Sequence, residues 1–172
     1  MKKIILYATG KDQTGIISDI SEKINLLNGN IETSKMIKLE EVFNVLALIS
    51  IDENKIKKLE ESLKNIEGLD ITLSKVLTNS KTNDKDVYKF SLKGADSEGI
   101  VYTFTNYLQN QKINIKDLET EIKNAPVTGY PLFFLTATIL IPNKLSSENI
   151  RKKLIELSHK HNVAIKLEAI DY

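Results

Sequence analysis

Eight residues near the start of the chain return, pattern intact, near its middle. Gly10-Lys11-Asp12-Gln13-Thr14-Gly15-Ile16-Ile17 reappears as Gly94-Ala95-Asp96-Ser97-Glu98-Gly99-Ile100-Val101, a shift of 84 residues, and the same shift carries Asn30-Ile31 onto Asn114-Ile115. Phe43 to Ile51 then matches Phe133 to Ile141 at a shift of 90, and Leu69 to Leu73 matches Val163 to Leu167 at 94. An internal repeat constrains architecture before any local propensity does, because whatever one copy folds into the chain must hold twice. The growing shift places insertions in the second copy around residues 124–131 and 142–147. The polar run Asn79 to Lys85 separates the copies. It sets domains at 1–79 and 87–172, joined by a linker at 80–86.

Each copy reads as strand, helix, strand, strand, helix, strand. Lys3 to Thr9 is apolar enough for a central strand, and Ile16, Ile17, Ile20, Ile24 and Leu27 follow at helical spacing on one face. Ile100, Val101, Phe104 and Leu108 repeat that stripe, which polar Gln111 ends. Asn28-Gly29 suits a helix C-terminus. Ile31 to Leu39 and Val42 to Ile51 form a hairpin through Glu40-Glu41. Ile56, Leu59, Leu63 and Ile66 predict a second helix starting near Asp52. Ser146 or Ser147 opens its counterpart with Ile150, Leu154 and Leu157. Leu69 to Leu77 and Val163 to Ile170 are the closing strands. The fold class is therefore α+β: two ferredoxin-like βαββαβ units, each a four-stranded antiparallel sheet with two helices on one face. So widely used a fold assigns no function by itself.

Composition removes several functions. The 172 residues carry 24 basic and 23 acidic side chains, and neither half departs far from neutrality. Without a basic patch, and with Arg151 as the sole arginine, direct binding to nucleic acid is not expected. No apolar run approaches the ~20 residues that span a bilayer. The apolar start at Ile4-Ile5-Leu6 is cut short by Thr9-Gly10-Lys11-Asp12, too early for a signal peptide, so a cytoplasmic location is expected. The absence of cysteine removes disulfides, thiolate nucleophiles and sulfur-based metal sites. His159 and His161, spaced i and i+2 on a helix, face apart and cannot chelate one ion. No catalytic residue, metal site or cofactor is expected.

Four of the seven glycines (Gly10, Gly15, Gly94 and Gly99) sit in the two strand-to-helix loops. Residue preferences favour these as turns with Asp12 or Asp96 capping the helix that follows. The same loops admit a second role. Backbone N–H groups at Gly15-Ile16 and Gly99-Ile100 open a helix N-terminus, which attracts a carboxylate, and glycine lets a ligand approach the backbone. A Walker loop and a G-x-G-x-x-G fingerprint are both absent.

The G-x-D-x-x-G-I pattern, its amphipathic helix and the following Asn-Ile resemble an ACT domain, a small-ligand regulatory module, twice over. In the second copy Asn114 to Thr120, followed by Ala125-Pro126-Val127-Thr128-Gly129-Tyr130-Pro131-Leu132-Phe133, resembles the glycine-cleavage transcriptional repressor family, whose tandem ACT domains carry a long hairpin of this type. The resemblance implies a non-enzymatic, amino-acid-sensing regulator of glycine or one-carbon metabolism. It would act through a protein partner such as a DNA-binding regulator. A detached allosteric subunit of an amino-acid-metabolising enzyme is the alternative. The implied ligand residues are Asp12, Gly15, Ile16, Asn30 and Ile31 in the first copy, with Asp96, Gly99, Ile100, Asn114 and Ile115 in the second. The carboxylate of a small amino acid, glycine or serine, would lie on a helix N-terminus with its ammonium near Asp12 or Asp96. The first two strands of each copy run parallel, so Asp12 and Asn30 fall at opposite ends of one sheet. Antiparallel pairing of copies through their second strands would bring Asn114 to the Asp12 loop and Asn30 to the Asp96 loop. Exposed edges also predict a homodimer or larger assembly.

Overall fold

The computed structural model describes residues 1–76, 85–95, 97–125 and 129–170, and the chain divides into two compact units, Met1–Ser80 and Lys81–Tyr172. The first contains β1 (Lys2–Lys11), α1 (Ile16–Leu26), β2 (Asn30–Leu39), β3 (Val42–Ile51), a 3-10 turn at Glu53–Lys55 leading into α2 (Ile56–Leu63), and β4 (Leu69–Lys75). The second contains β5 (Lys85–Ala95), α3 (Ile100–Asn110), β6 (Asn114–Asn124), β7 (Pro131–Pro142), α4 (Ser147–Lys160) and β8 (Val163–Ala169). Their sheets run β2-β3-β1-β4 and β6-β7-β5-β8, every pair antiparallel. Each unit is the expected βαββαβ fold. The stretch read as a linker lies outside the described residues as far as 84, while Lys85 and Asp86 already belong to β5.

Strand alternation and helix periodicity meet in each core. In the first unit Ile4, Leu6 and Ala8 of β1 and Val45, Ala47, Ile49 and Ile51 of β3 present alternate side chains to one side of the sheet. Ile16, Ile20 and Ile24 of α1, with Leu59 and Leu63 of α2, cover them. Burying each of the larger side chains contributes roughly 1.5–3 kcal/mol. In the second unit Phe90, Leu92, Leu135, Ala137 and Ile139 lie under Ile100, Phe104, Leu108, Ile150 and Leu154. Ile66 is also buried but lies beyond the end of α2.

The helix ends show where local rules held. Ser146 caps α4 by accepting from Asn149 N–H at 3.3 Å. Asp52 precedes the 3-10 turn without a side-chain cap. After α1, Asn28 adopts the left-handed conformation at φ 54°, and Gly29 N–H donates to Ile24 O at 2.9 Å. The loop glycines separate into two kinds. Gly15 and Gly99 have φ of 101° and 74°, where a side chain is strained. Gly10 and Gly94 do not: a Cβ on Gly10 would stand 2.1 Å from Gly68 O, and one on Gly94 2.5 Å from Val163 Cγ1. These two are demanded by the close approach of the neighbouring strand.

β2 and β6 form one edge of their respective sheets. Each has a bulge at the same place in the repeat, at Glu32 and at Lys116, where the pairing with the central strand skips one residue. Lys3 Nζ reaches over β3 to the Glu32 carboxylate at 2.6 Å. The β2–β3 hairpin turns through Glu40-Glu41, with Glu40 at φ 52°. The β6–β7 ladder runs on to Asn124 opposite Pro131, with Ala125 N–H donating to Tyr130 O at 2.8 Å. Pro126, Val127 and Thr128 of this hairpin lie outside the described residues.

Candidate functional site

The two repeated loops deliver a bare helix N-terminus each. Gly15 occupies the N-cap of α1 and Gly99 that of α3, and neither helix receives a side-chain cap. The first helical bond of α1 runs from Asp19 N–H to Gly15 O at 2.9 Å, so the N–H groups of Ile16, Ile17 and Ser18 precede it. In α3 the first bond runs from Thr103 N–H to Gly99 O at 2.9 Å, and Ile100 N–H leans back to Ser97 O at 3.3 Å. Both glycines are exposed, and nothing lies within 4 Å of where a Cβ on Gly99 would be. A group placed there meets donors without a side-chain cap, of which Ile100 N–H is shared with Ser97 O, and the positive end of the helix dipole.

Capping by Asp12 is a reading the structure corrects. Three residues stand between Asp12 and Ile16, which puts the carboxylate out of reach of the helix N–H groups. It turns the other way. Asp12 Oδ2 pairs with Lys38 Nζ at 2.8 Å, and Asp12 N–H donates to Glu41 O at 2.9 Å, both on the β2–β3 hairpin. Asp96 lies outside the described residues. Ile16 and Ile100 are buried in the cores at 2% and 3% exposure, so only their backbones are available to a ligand.

Asn30 and Ile31 sit at the opposite end of their sheet from this loop. Asn30 stands opposite Ser50, and so does Lys3 on the far side of β3, whereas Gly10 stands opposite Phe43. Asn114 opposite Leu140 and Gly94 opposite Phe133 repeat the separation. Within a unit the loop and the asparagine are therefore apart, as the strand directions require. Asn114 is exposed and, with Ile115, lines a cavity of about 460 Å³ shared with Thr105, Gln109 and Lys112. This cavity belongs wholly to the second unit.

Sequence reasoning missed the ties that hold the loops from behind. Gln13 Nε2 donates to Glu67 O at 3.1 Å, mooring the first loop to the turn between α2 and β4. In the second unit Ser97 Oγ lies 3.2 Å from His161 Nδ1, and the His161 ring packs 6.2 Å from that of Phe104. Gln13 and Ser97 are related by the shift of 84, Glu67 and His161 by the shift of 94. Overlaying the two shifts is the signal that finds them. Arg151, the sole arginine, donates to Leu167 O at 2.5 Å and so fastens α4 to β8. Glu53 is held below the usual carboxylate range by its hydrogen bond to Lys2, and Glu156 by its bond to Lys153, both far from the loops. Among the described residues no three His, Asp or Glu gather as a metal site, and no helix is long and apolar enough to cross a membrane.

Residues 2–74 match the ACT domain family. Over 98% of its length the chain is 22% identical to the glycine cleavage system transcriptional repressor of Escherichia coli (strain K12), of which it covers 90%. A stretch of 51 residues is 39% identical to the UPF0237 protein of Streptococcus pneumoniae serotype 4, spanning 30% of this chain and 58% of that one. The solved structure of an unknown protein from Galdieria sulphuraria superposes on 99% of this chain and 99% of its own with a TM-score of 0.89, at 27% identity.

Proposed function

We propose that this tandem ACT-domain chain senses a small amino acid, glycine or serine, and regulates glycine or one-carbon metabolism without catalysis, through a protein partner. One observation carries the reading: the same uncapped, glycine-opened helix N-terminus occurs in both units. A zwitterion suits it. The ligand carboxylate would take the N–H groups at Gly15-Ile16 and Gly99-Ile100, and the ammonium would take Asp12 in the first unit and Asp96 in the second. Asn30-Ile31 and Asn114-Ile115 would supply the amide and apolar contacts on the other side of the ligand. Within one unit they lie at the opposite end of the sheet from the loop. The ACT match over residues 2–74 and the full-length similarity to a transcriptional repressor support regulation rather than chemistry. A near-balanced charge supports a protein partner over direct contact with DNA.

Calorimetry of the full chain against glycine and L-serine tests the ligand. A saturable heat is expected for one of them. Absence of binding by either up to about 10 mM, a free energy near −3 kcal/mol, would remove the sensing role. Affinity capture from the native cell, with and without that amino acid, then tests for a partner whose recovery depends on it.

A further inference from the structure

The two units keep one pattern of core residues and differ at many positions outside it, the lining of one cleft among them. In the first unit, α1 and the turn from α2 into β4 border a cleft of about 460 Å³. Lys11, Gln13, Asp19, Lys23, Glu67 and Gly68 line it, two cations and two anions with an amide between them. Gln13 is fixed by its bond to Glu67 O, and Lys23 pairs only with its helix neighbour Glu22, at 3.1 Å. Among the described residues Lys11 and Asp19 form no ion pair. Gly68, at φ 78°, keeps the wall low; a Cβ there would stand 3.7 Å from Gln13 Nε2. The cleft lies on the α2 side of the loop, while Asp12 faces the β2–β3 hairpin.

The repeat supplies its own comparison. Lys11, Gln13, Asp19 and Lys23 correspond to Ala95, Ser97, Thr103 and Tyr107, and Glu67 to His161. The four charged side chains of the first unit's lining are replaced by Ala95, Thr103, Tyr107 and His161, while Ile66, which also lines the cleft, corresponds to Lys160. In the second unit His161 is drawn in by Ser97 and Phe104, and Tyr107 is partly buried, which pushes its hydroxyl pKa up. Meanwhile the core positions Ile16, Ile20 and Ile24 remain apolar as Ile100, Phe104 and Leu108. The core is kept while these lining positions change, so packing of the fold does not by itself require the charges of the first unit.

We propose that this cleft is a second ligand site, present in the first unit alone, for an amino acid with a polar side chain longer than that of serine. Its carboxylate meets Lys11 and Lys23, its ammonium meets Asp19 and Glu67, and its side chain reaches the Gln13 amide. Charge of both signs on the lining selects a zwitterion over a simple acid or amine, since either alone would face one repelling pair. The volume falls in the range of small-molecule sites and exceeds what glycine would fill. The site shares no side chain with the Asp12 reading, and each can fail without the other.

Nitrogen-15 NMR of the full chain, titrated with L-glutamine, tests the proposal. Saturable shifts are expected at Gln13, Asp19, Lys23 and Gly68, with Thr103 and Tyr107 unmoved. Replacing Asp19→Thr and Lys23→Tyr together, the residues of the second copy, should weaken L-glutamine about tenfold or more. Lys11→Ala, on an exposed strand end, should weaken it several-fold and guards against a misfolded double variant. Propionamide, which has the amide and no zwitterionic head, should not saturate. The proposal is overturned if L-glutamine produces no saturable shift up to about 10 mM, if the variants bind it as well as the parent, or if propionamide matches it. Glycine titrated against the same variants keeps the two readings apart, because its response should not change.

Discussion

Lys38 Nζ stands 2.8 Å from Asp12 Oδ2, joining the β2–β3 hairpin to the loop between β1 and α1. The bond from Asp12 N–H to Glu41 O makes the same crossing at 2.9 Å. One backbone bond and one ion pair thus tie the loop to the hairpin, and both side chains of the pair remain partly in water. The second unit is built otherwise. Lys38 lies opposite Phe43 in the ladder as Ile122 lies opposite Phe133, so an aliphatic residue takes the place of the cation. If Asp12 receives a ligand ammonium, Lys38 is the group that the ligand must displace.

Lys38→Met should therefore tighten glycine or serine at the first unit. Exposed ion pairs contribute about 0.2–1 kcal/mol, which sets the gain at up to roughly fivefold and the loss of stability below about 1 kcal/mol. Calorimetry and urea melts on the same protein read both quantities. Weaker binding in the Met variant would show that Lys38 assists the ligand rather than competing with it.

Asp12→Ala should cost ligand affinity about 1–3 kcal/mol, the loss of a charge-assisted hydrogen bond. Its effect on stability should stay below about 1 kcal/mol, because Gly15 and not Asp12 occupies the N-cap. Asp96→Ala is expected to lower affinity by a similar amount. A variant that loses stability and keeps its affinity would return the aspartate to a purely structural role.

Gly10→Ala and Gly15→Ala should separate two reasons for glycine in one loop. At Gly10 the new methyl would meet the Gly68 carbonyl at 2.1 Å, and overpacking of this kind costs about 1–3 kcal/mol or more. At Gly15 the space is open and only the left-handed backbone objects, at about 1–2 kcal/mol. The Gly10 variant should be the less stable of the two in denaturant melts. Equal losses would mean that β4 yields easily.

Replacing residues 125–130 by Asn-Gly should leave the second unit folded, because the ladder continues to Asn124 opposite Pro131 and a two-residue turn suits such a pair. Circular dichroism would report the retained sheet. The shortened chain is expected to lose its protein partner in the capture experiment. Retention of the partner would make the long hairpin a neutral length variant.

Light scattering should report a homodimer or a larger species at high protein concentration, since β2 and β6 each leave one side of a sheet unpaired within its unit. A monomer throughout would contradict this.

The fold was legible because the repeat reports each element twice. Where one copy blurs, as at Gln111, the other copy supplies the stripe at Leu27. The site was legible only in part. Asp12 read as a cap because aspartate near a helix start usually is one; the count of residues before Ile16 argued against it, and the partner on Lys38 lies across a hairpin. Gly10 read as a turn residue because nothing local reveals that Gly68, in the turn before β4, and Leu69, at its start, press against it. Ile16 and Ile100 were nominated for a ligand and also for the helix stripe; their buried side chains serve the stripe, which leaves their backbones for a ligand. Distant partners decided each miss.

The bulges at Glu32 and Lys116 bear on how far such a chain can assemble. A sheet edge with regular hydrogen bonding along its whole length accepts strands without limit and invites fibres. Here the ladder of β2 is interrupted between Ile31 and Thr33, and that of β6 between Ile115 and Asp117. Any strand that docks on either edge meets an irregular step at the same point of the repeat. A docking strand is thereby steered toward one register, and uninterrupted edge-to-edge growth is disfavoured.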